Sequence, residues 1–516
     1  MSFEPTTEWF LALAPEISLA ILLVAIQVYN RVLPSSRQRQ VGLMTAWGAF
    51  VILLITLGLW LFANVPGESA DLSSTLMWGG MIRNDMVTLV FRVIFLFALM
   101  LTALFSVDTP RLQAVEFYAL LILATIGFSL MAASSDLIMV YVALETASIS
   151  SYILAGFFKN EDRSAEAGMK YFVYGAFATA VLLYGLSMIY GLTGQTGYYA
   201  IGAAVQQLPT PAEVLQTGDM QAFGILQDIN GVLLIAAVAV VVGFGFKISA
   251  VPYHFWSPDV YEGSPTAFTA FVSTASKAAG FAVFIRIFTA GVFGPPGENN
   301  TWWVMLVAMT IITLTLGNLA AIYQRNLKRM LAYSSIAQAG YAMIGLVTLT
   351  QSGSGATMFY LLMYVFTNVA AFGIIVLVSN VSQSDQLEDF YGLNRRSPWL
   401  AMAMMIALLS LSGIPPTAGF FGKFFLFQAT VQAGYWWLAA WGLLNAFVAL
   451  YYYLTIIKYM YLYDSDQEKI AIPISLAAKI GLFVSTIAIL ILAIFASPAY
   501  EWTLQAAGAF YTLAGG

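Results

Sequence analysis

GFGFKISAVPYHFWSPDVYEGSPTAFTAFVSTASK, residues 243–277, decides how the chain is read. The stretch places Lys247 inside an apolar run, interrupts that run with Pro252, Pro258, Gly263 and Pro265, and then resumes a helical pattern that holds Lys277. In hydrocarbon a helix break leaves backbone groups unpaired, and a lysine is costly to hold there. Both features side by side mark a site rather than ordinary packing.

The rest of the chain shows that hydrocarbon is the solvent. Of 516 residues, 60% are hydrophobic and 9% charged, with a mean hydropathy of +0.81; a soluble domain carries about 25% charged residues. The chain therefore reads as an integral membrane protein. Its 41 glycines and 15% aromatics suit close-packed membrane helices and interfacial belts. Ten-residue alternating segments, the mark of an outer-membrane barrel, are missing. A net charge of −5 without any basic block gives no sign of a nucleic-acid partner. Without cysteine there is no disulfide, thiolate nucleophile or cysteine-held cluster, and a single histidine, His254, argues against a metal centre. Any electron chemistry belongs to other chains. The start, MSFEPTTEWF, has Glu4 and Glu8 where a cleaved signal would be basic, so the apolar run after it reads as the first membrane helix.

Runs long enough to cross about 30 Å of hydrocarbon lie near 9–30, 41–63, 82–106, 112–132, 135–157 and 170–192. After a polar, glycine-rich connection at 193–229 come 230–250, 265–290, 302–322, 328–350, 356–381, 398–431, 436–461 and 473–495. The prediction is an all-α polytopic membrane protein of about fourteen helices. It forms a single membrane domain over 1–516, with no long helix after about 495. Charge placement agrees. With the N-terminus outside, the cytoplasmic loops hold Arg31, Arg37 and Arg39; Arg111; Lys159, Arg163 and Lys170; Arg325, Lys328 and Arg329; Arg395 and Arg396; and Lys469. Arg83 and Arg286 come nearest to the opposite loops, and both termini face the positive side.

The seventh span has an echo in SLSGIPPTAGFFGKFFLF, residues 410–427, where glycines and prolines again surround one lysine, Lys423. Paired, interrupted helices in corresponding halves are the pattern of inverted-repeat transporters. Once loop charges are set aside, the reading leaves four charges deep in spans: Glu145, Lys247, Lys277 and Lys423. Snorkelling to the interface would account for one lysine at a span end, but Lys277 and Glu145 lie near mid-span. Loss of water favours a neutral amine and a nearby carboxylate favours an ammonium, so Lys247 with Glu145 is the candidate switched pair. Lys277 and Lys423 would continue the path, with Ser249, Ser273, Thr274, Ser276, Tyr253, Tyr261, Ser334, Ser335 and Gln338 available to hold water. For each hydroxyl the plainer reading is a bond to its own helix turn. His254 has two readings, a proton relay or a partner for backbone freed by Pro252. Asp136 reads as a helix N-cap, Glu116 as interfacial, and Asp259 and Glu262 as surface groups.

LKRMLAYSSIAQAGY (327–341), KISAVPYHFWSPDVYEGSPTAFTAFVSTASK (247–277) and LSGIPPTAGFFGKF (411–424) together resemble the antiporter-like membrane subunits of respiratory complex I and its relatives, which include multi-component sodium/proton antiporters. The resemblance covers essentially the whole chain and is closest to subunit 2, the N-type. It implies two inverted five-helix repeats, about 112–290 and 302–461, each with a broken helix, flanked by 9–106 and 473–495. By resemblance Glu145 is the fifth-helix glutamate, Lys247 the seventh-helix lysine, Lys277 the bridging eighth-helix lysine and Lys423 the terminal twelfth-helix lysine. Some members have a histidine on the eleventh helix, where this chain offers Thr367 and Asn368.

What the resemblance implies is a proton-translocating subunit of an NAD(P)H or ferredoxin:quinone oxidoreductase. Other membrane subunits and hydrophilic subunits would be its partners, the latter holding iron–sulfur clusters, with quinone reduced outside this chain and no cofactor within it. SSYILAGFFKNEDRSAEAGMKYFVYGAF (150–177) is similar to the cyanobacterial and plastid branch, which places the chain in a thylakoid membrane with plastoquinone; a bacterial inner membrane is the other location. Three rival readings stay open: a sodium or potassium/proton antiporter subunit without redox role, a membrane scaffold indifferent to its buried charges, and a substrate permease, for which the sequence shows no evident organic-ligand pocket.

Overall fold

Hydrocarbon offers backbone N–H and C=O groups no partner but each other, and the apolar runs answer as helices. The computed structural model describes residues 7–32, 38–62, 75–208, 220–294, 300–464 and 471–511. Glu4, Arg37, Lys469 and the middle of the 193–229 connection lie outside the described residues. Among those described, 12 helices are long and apolar enough to cross a membrane. Two further predicted spans are also helical. Leu327–Leu346 is diluted by Lys328, Arg329, Ser334, Ser335 and Gln338, and the last is split into Pro398–Ser412 and Ala418–Gln432. The chain is an all-α polytopic membrane protein.

Three helices form the middle of the bundle. Thr266–Thr289 and Gln351–Ser382 are buried along their length and Met86–Ser106 almost so, and each packs on the other two. Leu327–Leu346 is buried as well, apart from half-buried Arg329 and Tyr333, while outer helices keep one apolar face outward, as Ile138, Val142, Ile149 and Ile153 do on Leu137–Ala155. That helix begins at Asp136, whose carboxylate accepts from the N–H groups of Ile138 at 2.8 Å and Met139 at 3.2 Å, as expected of an N-cap.

Two helices are broken where the prolines predict. Met220–Ile248 stops just after Lys247. Ser249 follows at φ +61°, residues 250–255 are not helical, and Trp256–Gly263 resumes the coil. In the second case Pro398–Ser412 ends at Gly413, φ +85°, and Ala418–Gln432 resumes. Freed backbone groups find partners: Val251 N–H donates to Thr313 Oγ1 at 3.0 Å, and Phe246 C=O accepts from Trp256 Nε1 at 3.0 Å. The lysines sit on opposite sides of their breaks, Lys247 before the first and Lys423 after the second.

Two expectations are corrected. The tail beyond 495 forms a 16-residue helix, Ala496–Tyr511, packed on Gln351–Ser382. Its alanines favour helix, while Glu501 and Gln505 lower its hydropathy below that of a span. The connection at 193–229 contains helix Tyr198–Gln206, and Met220–Ile248 starts about ten residues earlier than its apolar run.

Candidate functional site

The three lysines do not snorkel. Lys247 is 2% exposed, Lys277 1% and Lys423 4%, so each ammonium must be satisfied from within the bundle. Lys247 donates to Ser148 Oγ at 3.0 Å and lies 5.3 Å from the centre of the Phe128 ring. Ser148 is one turn beyond Glu145 on Leu137–Ala155, a spacing that puts both on one face. Among the described residues no ion pair joins Lys247 to Glu145 directly. Glu145 Oε1 is buried without a hydrogen bond. The hydroxyl of Ser148 is therefore the direct contact of Lys247.

Lys277 follows a π-helical turn, Val272–Ser276, an irregularity frequent at functional positions. Its ammonium donates to the main-chain oxygen of Ser335 at 2.6 Å. Helix Lys277–Thr289 also meets the first lysine: a Cβ at Gly280 would stand 3.5 Å from Cβ and Cγ of Lys247. On the other side, Ser335 leads to Gln338 one turn further on. Gln338 Nε2 donates to Leu411 C=O at 3.0 Å and to Tyr453 OH at 3.0 Å. The same Leu411 oxygen accepts from Lys423 Nζ at 3.0 Å, and Ser412 C=O accepts from it at 3.0 Å. These two carbonyls end Pro398–Ser412, where the break removes their helical partners. The Ser335–Gln338 turn thus lies between Lys277 and Lys423, while the stem of Lys247 approaches the Lys277 helix at Gly280.

Of the other polar groups, Ser273 and Thr274 hydroxyls bond to Ala270 C=O at 3.0 and 2.8 Å, their own helix turn. Asn368 Nδ2 donates to Ser273 Oγ at 2.6 Å, and Thr367 Oγ1 lies 3.1 Å from Ser410 Oγ. His254 is buried inside the first break with Nδ1 lacking a hydrogen bond. Its ring lies beside Phe255, with centroids 4.4 Å apart. A cavity of about 770 Å³, lined by apolar as well as polar groups, lies at the start of the Lys277 helix, with Asp108, Arg111, Thr266 and Asn380 among its walls.

Asp259 and Glu262 belong to an ion cluster. Asp259 accepts from Lys170 at 2.6 Å and from Arg329 at 2.7 Å, and Arg329 also reaches Glu262 at 3.0 Å. Burial pushes the Asp259 carboxyl up, but its hydrogen bonds to Lys170 and Arg329 outweigh that and hold it below the usual carboxylate range.

The count of four span charges is also corrected. Arg92 and Glu16 are buried in spans and pair through two contacts of 2.9 Å, with Ser129 on the same carboxylate. Asp85 is held by Arg286 at 3.0 and 2.7 Å and by Arg83 at 3.2 Å, all buried. Arg92 was visible in VTLVFRVIFLF and Glu16 in LALAPEISLA; only their pairing required the fold.

A bundle of membrane helices, two of them broken, with lysines satisfied by hydroxyl and carbonyl oxygens inside it, defines an antiporter-type membrane subunit. Comparison with known proteins gives the family. The model described as "NADH:quinone oxidoreductase/Mrp antiporter, TM" matches residues 134–449. The NADH-quinone oxidoreductase subunit N of Moorella thermoacetica is 39% identical over 97% of this chain and 98% of its own. The NAD(P)H-quinone oxidoreductase subunit 2 of Nostoc punctiforme is 39% identical over 89% of this chain and 81% of its own. A chain of respiratory complex I from Thermus thermophilus with bound aureothin superposes with a TM-score of 0.72 at 31% identity, covering 94% of this chain and 98% of the other. The chain belongs to the NADH:quinone oxidoreductase/Mrp antiporter membrane family, and within it to the subunit N type.

Proposed function

We propose that the chain is a proton-translocating subunit of a redox-driven quinone oxidoreductase, moving protons through Glu145, Lys247, Lys277 and Lys423. The observation that carries this reading is Lys277: a mid-bundle lysine, 1% exposed, held by a main-chain oxygen and, among the described residues, by no carboxylate. Nothing in its surroundings pins the charge. Moving one elementary charge through the membrane field costs about 2.3 kcal/mol per 100 mV, and three lysines divide that work into shorter steps. A displacement of charge near Glu145 would release or recapture Lys247, and the proton would pass by way of Lys277 to Lys423. The two broken helices then belong to two inverted repeats, about 112–290 and 302–461.

Protons enter from the cytoplasmic or stromal side, where the cavity at Thr266 lies near Arg111, and leave on the positive side, which both termini face. Energy comes from quinone reduction in partner subunits, whose hydrophilic members hold the iron–sulfur clusters. The named relatives support NADH or NAD(P)H as donor and a bacterial energy-converting membrane. Thylakoid membrane, plastoquinone and ferredoxin form the narrower version, supported by the Nostoc punctiforme likeness and by residues 150–177. His254 stands beside the relay as an additional proton-carrying group at the break.

The test is Lys277→Ala and Lys247→Ala in the assembled complex, with protons moved per quinone reduced as the readout. Both variants are expected to lose pumping; normal pumping at normal assembly overturns the relay. A second reading, a cation/proton antiporter subunit without redox role, is favoured by the family description, which names Mrp antiporters too. Co-purification with iron–sulfur subunits decides between them.

A further inference from the structure

Helix Leu327–Leu346 lies between the Lys277 helix and the second break, and Gln338 on it hydrogen-bonds to Leu411 C=O at that break. A glutamine amide has two N–H donors and one oxygen acceptor, and Gln338 uses each of them. One amide nitrogen serves Leu411 C=O and Tyr453 OH, both at 3.0 Å, while Oε1 accepts from Tyr360 OH. Tyr453 oxygen accepts from Gln338 and is also in contact with Ser334 Oγ, a pair in which either hydroxyl can donate. One buried side chain thus fixes two tyrosines and a carbonyl.

That carbonyl matters because Lys423 shares it. A carbonyl oxygen has two lone pairs; on Leu411 one is taken by Gln338 and the other by Lys423. The Lys423 ammonium has three N–H donors, of which two go to Leu411 and Ser412 C=O, and the nitrogen lies 4.3 Å from the centre of the Tyr341 ring. A neutral amine keeps two N–H groups. Lys423 can therefore gain or lose a proton without leaving its two carbonyls, provided that Leu411 C=O stays in place.

We propose that Gln338 is the positioning residue for proton transfer between Lys277 and Lys423: it holds the Leu411 carbonyl that seats Lys423 and anchors the Tyr453 hydroxyl, in contact with Ser334, beside the Ser335 turn that seats Lys277. The inference rests on the relay reading above. In the transfer the Lys277 ammonium gives up a proton and becomes an amine, and the Lys423 amine becomes an ammonium; Gln338 neither gains nor loses one. Its neutrality serves that role, since a carboxylate there would pin whichever ammonium came near.

The experiment uses the assembled complex in sealed vesicles and measures protons moved per quinone reduced, for wild type, Lys277→Ala, Lys423→Ala, Gln338→Leu, Gln338→His and Gln338→Glu. Gln338→Leu keeps the volume and removes every donor, and pumping is expected to fall about tenfold. Gln338→His regains a donor and is expected to restore a large share of it. Gln338→Glu donates only while protonated, so its pumping is expected to decline with rising pH in a range where wild type is flat, a profile that a packing role would not produce. The inference is overturned, and the relay kept, if Gln338→Leu pumps normally where Lys423→Ala does not. If both lysine variants pump normally, the relay falls and this inference with it. Should Gln338→Leu fail to assemble, the near-isosteric Gln338→Glu decides: a pH profile identical to wild type overturns the proposal.

Discussion

Lys247 rests on Ser148, at 3.0 Å, and not on Glu145 one turn earlier. The hydroxyl holds Lys247 one turn from Glu145 along the same helix face without an ion pair between them, and a direct buried pair would be harder to separate. Ser148→Ala removes that intermediate. A hydrogen bond to a charged group contributes about 1.5–3 kcal/mol, so without it Lys247 is expected to shift toward Glu145, one turn earlier on the same helix. The expected outcome is normal assembly with pumping lowered about tenfold or more, and recovery in Ser148→Thr. Wild-type pumping in Ser148→Ala would make the serine a bystander.

Gly413 has two reasons to be glycine, and they can be separated. Its φ of +85° lies in the left-handed region, where a side chain costs about 1–2 kcal/mol. In addition, a Cβ there would stand 2.9 Å from Lys423 Cδ and 3.5 Å from Nζ. Gly434 shares the backbone strain, at φ +89°, with no atom within 4 Å of its would-be Cβ. Gly413→Ala and Gly434→Ala should therefore lose similar thermal stability, while Gly413→Ala alone loses proton pumping. Equal pumping in the two would detach Gly413 from Lys423.

These contacts show what sequence can and cannot carry. The spans were legible because hydrocarbon demands long apolar runs, and the breaks because proline and glycine interrupt them; Lys247, Lys277 and Lys423 stood out as costly exceptions. Their partners were not legible. Lys277 bonds a main-chain oxygen 58 residues away, and a carbonyl leaves no mark in sequence. Arg286 read as a charge near a loop, and its pairing with Asp85, 201 residues away, appears only once the fold brings the two together in the interior. The tail helix Ala496–Tyr511 was missed for another reason: it is held by packing on Gln351–Ser382 rather than by its own hydropathy.

The Asp259 cluster ties Trp256–Gly263, just after the first break, to Asp162–Thr193 through Lys170 and to Leu327–Leu346 through Arg329. Since the Asp259 carboxyl is held below its usual range, the native state binds its proton less readily than the unfolded chain. The contribution is present at neutral pH and above the ordinary carboxylate value, near pH 4, and is lost as pH falls through the lower, folded value. Half-exposed pairs contribute only about 0–1 kcal/mol each. Thermal unfolding followed from pH 7 to pH 3 should show wild type losing a small increment at the acid end, with Asp259→Asn lacking that increment and already less stable at pH 7. An identical acid limb in both would assign the loss to other carboxylates.

Arg92 and Glu16 supply the contrast that makes the lysines informative. Both are buried, yet each answers the other through two contacts of 2.9 Å, and Arg92 also donates to Ala12 C=O at 2.7 Å. The pair ties the first span to Met86–Ser106. Removing one partner strands the other: Arg92→Met or Glu16→Leu alone should destabilise by about 3–5 kcal/mol and reduce the amount of assembled complex. The double variant Arg92→Met, Glu16→Leu removes both charges and should recover a large part of that loss, giving a coupling energy of opposite sign to the single changes. Complex that does assemble should move as many protons per quinone reduced as wild type, because the pair belongs to the scaffold. Were the double variant to assemble normally and yet pump poorly, Arg92 and Glu16 would join the relay, and burial with a satisfied partner would no longer separate structural charges from working ones.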